Sequence, residues 1–406
     1  MGEVPGIEGA GEAVRLPRSW DEARARAFDC TAPLPAHAVP LAQGLGRILA
    51  ADAVAAHDMP HYASSAMDGW AVAGSPPWIL AEPGAALVAG QASPIVTGGN
   101  IPPGAKAVLR SEWGELSTDD DGLPVLVRGA AARPGEPKNG VHIRPAAQEA
   151  ARDEVLVKAG TTLNPAHLAL AALGGLDELQ VLGRPAVKLV FTGDEVVESG
   201  IPAAGEVRDA FSPQLGAVVT LLGGAVVGQQ RAADSLASVL AALEDSAQDP
   251  ADVLVTTGAT GHSRADFLRE AIATMGGTFL IESIAMRPGH PTLLAELPDG
   301  RFVVGLPGNP LAAMIGLLTV GAPLLARLGS RPAPATLEVA CGTPIKEYAG
   351  PTRLMPYRLV YGLASPTAHS DSAMMRGLAA ADGVMLVPPH GAKMGEMVRA
   401  IPLPWK

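Results

Sequence analysis

Cysteine is almost missing from this sequence. Only Cys30 and Cys341 occur. They lie far apart and outside any metal-ligand spacing, which excludes a disulfide framework and a thiolate metal site, and both are expected to be reduced and buried. Aromatic residues make up 4% of the chain, too few for a platform that stacks single-stranded nucleic acid. Basic charge is also short. A formal net charge of -11 disfavours a general nucleic-acid-binding surface, which needs clustered Lys and Arg. No apolar run reads as long enough and free enough of charge to cross a bilayer, and no basic segment precedes an apolar one at the start. Membrane insertion is therefore not expected, and a cytoplasmic location is. The acidity still permits a small anionic ligand, held by backbone N–H groups, by one or two cations, or by a divalent metal bridging phosphates to carboxylates.

What is present points to several folded parts. At 406 residues the chain exceeds one ordinary core, and 47 glycines with 37 prolines imply many turns and a β-rich portion. Ser19-Trp20-Asp21-Glu22 has the form of a capping box, so a helix is expected to about Phe28. A second helical pattern runs near Pro40–Leu49, and Asn164-Pro165 with Gly174-Gly175 brackets another helix. Residues 15–57 and 146–183 therefore read as a helical linker domain. Short β-like runs between Pro/Gly turns make 58–145 an inserted β domain.

From 184 to 329 the pattern changes to alternating strands and helices, which implies a parallel α/β sheet covered on both faces. The expected strands are Val187–Phe191, Ala225–Gly228, Val253–Thr257 and Phe302–Gly305; the expected helices are Pro213–Leu222, Ser235–Glu244, Asp266–Met275 and Leu311–Leu328. Residues 331–406 return to short strands and read as a small C-terminal β domain.

Ligands of open parallel sheets bind at the carboxyl ends of the strands. Three such ends carry unusual loops: Thr192-Gly193-Asp194-Glu195, Gly258 through Asp266, and Gly305-Leu306-Pro307-Gly308-Asn309-Pro310. Glycine lets backbone approach a ligand, and helix N-termini favour an anion, so the set reads as a phosphate-type site with Glu195 and Asp266 free to hold a cation. Each loop taken singly is also an ordinary turn sequence, and Asp68-Gly69 alone reads as a hairpin turn.

In order along the chain, Ser65-Ala66-Met67-Asp68-Gly69-Trp70-Ala71, the Thr97-Gly98 to Pro102-Pro103-Gly104-Ala105 segment, Thr192–Glu195, Met286-Arg287-Pro288-Gly289 and Gly305–Pro310 resemble the molybdopterin molybdenumtransferase family, which includes MoeA and the C-terminal domain of gephyrin. The resemblance implies a MogA-like molybdopterin-binding domain. It also implies insertion of molybdate into adenylylated molybdopterin with Mg²⁺-dependent release of AMP.

By motif position it assigns Asp68, Glu195 and Asp266 to catalysis. Thr97, Thr192, Gly193, Asp194, Gly258, Arg287, His290, Pro307, Gly308, Asn309 and Pro310 fall to substrate, and Glu195, Asp234, Asp266 and Glu149 to metal. It further implies a homodimer in which Asp68 completes a partner's site. The sequence departs from the family pattern in the middle loop and at Glu149. It departs again at Asp209-Ala210-Phe211 and at Arg287-Pro288-Gly289-His290-Pro291, where the usual motif is KPGKP. Such drift leaves open a dimeric scaffold that binds another protein. The Thr256-Thr257-Gly258-Ala259-Thr260-Gly261 stretch is similar to a loop of the adenylyltransferase acting one step earlier, but that family is a short single domain.

Overall fold

The computed structural model describes residues 16–244, 250–258 and 267–406. Its contacts divide the chain into two units, Ala36–Leu182 and the rest.

In the Ala36–Leu182 unit the core is a six-stranded sheet, with strands in the order Ala107–Arg110, Gly69–Ala73, Gln91–Ile95, Trp78–Leu80, Pro124–Arg128 and Gly114–Thr118. Asp68-Gly69 is not a hairpin turn. Gly69 opens a central strand paired on both sides, with Ile95 and with Arg110. Its φ is +153°, and a Cβ there would lie 2.0 Å from the Leu109 carbonyl, so only glycine fits. The flanking segments are less helical than their pattern. Pro40–Leu49 gives one 3-10 turn, Leu41–Gln43, because Gly44 and Gly46 interrupt it and the preceding His37–Pro40 is captured by Glu178–Val181 as an antiparallel strand. The helix Pro165–Leu173 forms as expected, with the Asn164 side chain accepting from His167 N–H.

The other unit contains the α/β sheet. Strands run in the order Ala225–Arg231, Ala186–Phe191, Val253–Thr257, Phe302–Leu306, Leu293–Glu296 and Thr278–Ile281. The first four are parallel, as the alternating pattern implies. The last two are antiparallel and were not expected. Four-residue apolar runs carry too little periodicity to stand out, and their pairing is fixed by the neighbouring strand. The two central parallel strands are buried at every residue, as a sheet covered on both faces requires. In register, Phe191 lies opposite Arg231 on one side and Thr257 on the other, and Thr257 lies opposite Leu306. Four strands thus end in one row.

Pro310–Leu328 is a single helical stretch of 19 residues with a mean hydropathy of 1.8, long and apolar enough to span a membrane by length and composition. This corrects the expectation that no such run exists. As 94% of it is buried, its apolarity is that of a core helix. The expected capping box is present at Ser19, and the helix Trp20–Asp29 packs on this core, where Trp20 Nε1 donates to Thr319 Oγ1 at 3.2 Å.

The C-terminal sheet recruits a strand from the middle of the chain. Met286–Arg287 pairs in parallel with Thr352–Val360, setting Arg287 opposite Arg353.

Candidate functional site

Beyond the row of strand ends lies a cleft of about 770 Å³. Thr192, Gly193, Glu195, Asp234, Gly258 and the Pro307–Pro310 segment line it. The first and third loops and Gly258, the one described residue of the middle loop, therefore meet at this cleft, and the level register explains why. A Cβ on Gly258, whose φ is +81°, would sit 2.5 Å from Thr192 Oγ1, so the middle loop passes the first at a distance only glycine allows. One on Gly308 would lie 3.7 Å from the Gly258 Cα, so the third loop is also close by. Asp266, with the rest of 259–266, lies outside the described residues.

The first loop is braced from within. Asp234 Oδ1 accepts from Gly193 N–H at 3.1 Å and its Oδ2 from Asp194 N–H at 3.2 Å, while Asp194 Oδ1 accepts from Asp234 N–H at 3.2 Å. Thr192 Oγ1 donates to the Thr257 carbonyl at 2.6 Å, tying the ends of two strands. The backbone donors of Gly193 and Asp194 are thus engaged by Asp234, each of whose two oxygens accepts one bond and so holds the loop in place. Glu195 differs. It lines the cleft, is exposed, and makes no side-chain hydrogen bond among the described residues.

Two helix ends at the cleft have part of their first-turn N–H groups taken up by the protein itself, while the Leu311 N–H has no acceptor among the described residues. At the long helix, Pro310 has no N–H, Ala312 N–H donates to the Ser372 carbonyl and Ala313 N–H to that of Asn309. At Ser212–Leu221, the N–H groups of Phe211 and Ser212 donate to Asp209 Oδ1. Asp209 is buried and meets Arg231, which also pairs with Glu198 at 2.6 Å. Burial pushes the Asp209 carboxyl up, but the Ser212 hydroxyl, the two backbone donors and Arg231 outweigh it, and its pKa falls below the ordinary value.

A second recess of about 780 Å³ adjoins the first and shares Pro291, Pro307 and Asn309 with it. Arg287, His290, Tyr348 and Arg353 line this one. Arg353 lies over the Tyr348 ring at 4.6 Å, and the Tyr348 hydroxyl faces the carbonyls of Pro351 and Val387. Asn309 Nδ2 donates to Ser372 Oγ at 3.2 Å, fastening the third loop to the C-terminal part. Sequence reasoning did not find Arg353, Arg231 or Asp209 as site residues. Arg353 becomes visible only through the pairing of Met286–Arg287 with a strand more than sixty residues away, which leaves no local signal.

In the Ala36–Leu182 unit, Asp68 Oδ1 accepts from Thr97 N–H at 2.6 Å and from Thr97 Oγ1 at 2.9 Å. The backbone donor and then the hydroxyl hold the Asp68 carboxyl below its ordinary value. The two insert motifs are therefore brought together. Glu149 belongs to the same unit, where it lines a cleft of about 720 Å³ with His61, Tyr62 and Arg144.

Residues 18–175 match the MoeA N-terminal region (domain I and II), and residues 188–327 match the probable molybdopterin binding domain. A Mycobacterium tuberculosis protein, molybdopterin molybdenumtransferase 2, is 32% identical over 300 residues, covering 68% of this chain and 71% of its own. The chain belongs to the molybdopterin molybdenumtransferase (MoeA) family. A Staphylococcus aureus molybdopterin molybdenumtransferase is 28% identical over 320 residues, 74% of each chain. The structure of the molybdopterin biosynthesis MoeA protein from Pyrococcus horikoshii superposes with a TM-score of 0.70 at 25% identity, covering 96% of this chain and 99% of that one. The family match thus extends over both units and the C-terminal part.

Proposed function

We propose that this protein is a molybdenumtransferase of molybdenum cofactor biosynthesis that inserts molybdate into adenylylated molybdopterin, with Mg²⁺-dependent release of AMP. The observation that carries this reading is the pair of adjoining recesses, one at the strand ends with an open carboxylate and one lined by two arginines. The first suits a phosphorylated pterin. The second suits a tetrahedral oxyanion, because guanidinium groups match oxyanion geometry and keep their charge.

Mg²⁺ binds through one or two carboxylates and completes its shell with substrate phosphate oxygens, so a lone open carboxylate fits it. Among the described residues no cluster of three or more His, Cys, Asp or Glu forms, and Mg²⁺ needs none. Glu195 would hold it, with Asp266 as second carboxylate; bound there, it would neutralise the phosphates and polarise the bond that breaks. Asp234 keeps the Glu195 loop in place. Arg287 and Arg353 hold molybdate beside the pterin. In a homodimer, Asp68 and Thr97 of one protomer would complete the site of the other. A cytoplasmic location accords with such a biosynthetic role.

The test is AMP release from adenylylated molybdopterin by the purified protein with Mg²⁺ and molybdate. Glu195→Ala should lower it about 100-fold, since a polarising metal supplies several kcal/mol. Absence of AMP release by the unaltered protein under every metal condition would overturn the reading. The alternative, a dimeric protein-binding scaffold, draws on one feature: Leu359, Val360 and Tyr361 form a hairpin tip whose tyrosine is fully exposed. A partner recovered by pull-down through that tip, in a protein releasing no AMP, would favour it.

A further inference from the structure

We propose that Thr319 is a positioning residue for the arginine recess: its buried hydroxyl, hydrogen-bonded between Trp20 and Met286, holds in place the short strand that carries Arg287. This role rests on the reading that the recess receives the oxyanion, and adds to it a core group that touches no ligand.

Thr319 is 0% exposed, in the middle of the long apolar helix, where a valine would fill nearly the same space. A buried hydroxyl costs free energy unless it is hydrogen-bonded, so its partners matter. Trp20 Nε1 donates to Thr319 Oγ1 at 3.2 Å. An indole N–H can only donate, so the hydrogen of the hydroxyl must go elsewhere. In a helix it often returns to the carbonyl one turn earlier. Here it goes to Met286 Sδ at 3.7 Å. The local winding sets this residue apart as well. Leu317–Gly321 is a π-turn between two α-helical stretches, with Thr319 at its centre, and such turns are frequent at functional sites.

Met286 carries the effect to the recess. Its side chain is wholly buried while Arg287, the next residue, is exposed and lines the recess, as the alternation of a strand requires. Register sets the pair opposite Thr352 and Arg353. The far end of Met286 underlies the turn that follows. A Cβ on Gly289, whose φ is +100°, would lie 2.6 Å from Met286 Cε. Anchoring the sulfur therefore fixes both the strand and the turn that borders the recess. From the outer side the indole is itself held, with Arg24 over its ring at 4.7 Å. The same N-terminal segment grips the strand's approach a second time, through Ala285 N–H donating to the Arg18 carbonyl at 2.7 Å.

Without the hydroxyl, the indole N–H is unpaired and the sulfur is loose. If Arg287 is then in place for less of the time, apparent affinity falls by the fraction lost.

The experiment titrates the whole protein with molybdate and with tungstate, by calorimetry and by ¹H–¹⁵N spectra of protein labelled with ¹⁵N-tryptophan. Thr319→Val should bind both oxyanions about 3- to 10-fold more weakly, the net worth of one hydrogen bond, and Thr319→Ser about as tightly as the parent. Coupling is reciprocal, so filling the recess should move the Trp20 indole N–H signal, identified by its loss in Trp20→Phe. The signal of Trp78, bonded to the Gly74 carbonyl in the Ala36–Leu182 unit, should stay still. A role in stability alone would lower the melting temperature of Thr319→Val and leave its affinity unchanged, which overturns the proposal. An equal loss of affinity in Thr319→Ser overturns it too. The indole shift is read in the unaltered protein and so decides the matter even if Thr319→Val does not fold; a Trp20 signal unmoved at saturation overturns the coupling while leaving the recess standing. Absence of binding by the unaltered protein overturns the recess assignment itself.

Discussion

Replacing Asp234 separates a metal ligand from a loop clamp. Its two oxygens accept from Gly193 and Asp194 at 3.1 and 3.2 Å. At about 0.5–1.5 kcal/mol net per hydrogen bond, Asp234→Ala forfeits about 1–3 kcal/mol of order in the loop that carries Glu195. At about 1.4 kcal/mol per tenfold, kcat/KM for AMP release should drop by about 5- to 140-fold. Asp234→Asn is no isostere here. Whichever way the amide turns, its NH₂ faces one of the two N–H donors, so it should recover only part of the loss. The assay is AMP release titrated with Mg²⁺, with thermal unfolding of each variant alongside. If Asp234 is a clamp, activity, apparent Mg²⁺ affinity and melting temperature fall together, because the loop that loses order is the one that carries Glu195. A fall in Mg²⁺ affinity of about 100-fold or more, with an unchanged melting temperature, would refute the clamp and restore direct ligation.

Three further outcomes are expected. Thr97→Val removes the hydroxyl donor to Asp68, so the Asp68 carboxyl should rise toward its ordinary value in a carboxyl ¹³C titration. Its folded pKa being depressed, its contribution is present above the ordinary carboxylate pKa and is lost as pH falls through the lower folded value. Arg231→Ala leaves the buried Asp209 carboxylate without its cation, and should cost about 2–4 kcal/mol in denaturant unfolding, somewhat less than a fully buried pair. A smaller loss in Arg231→Lys would confirm that charge is what matters; equal losses would not. Finally, mixing refolded Asp68→Ala and Glu195→Ala subunits should restore about a quarter of the activity if each site draws on two protomers, and none if each site is built within one.

The sequence by itself determined most of the α/β unit. Strand and helix alternation marked its four parallel strands because buried strands are continuous apolar runs with glycine and proline punctuation, a signal carried by neighbouring residues. The capping box at Ser19 and the cap at Asn164 were legible for the same reason: a cap is a bond between residues three apart. The ordered motifs also sufficed to mark the family. Local pattern failed where the deciding partner was remote. Pro40–Leu49 looked helical until a distant strand captured its start, and the two antiparallel strands had no periodicity of their own. Tertiary structure alone set which side chains are free to act. Register put four strand ends in one row, bound Asp234 to the first loop, and set Arg287 opposite Arg353. Whether a carboxylate is open or occupied depends on hydrogen-bond partners tens of residues away, and no local run of sequence records them.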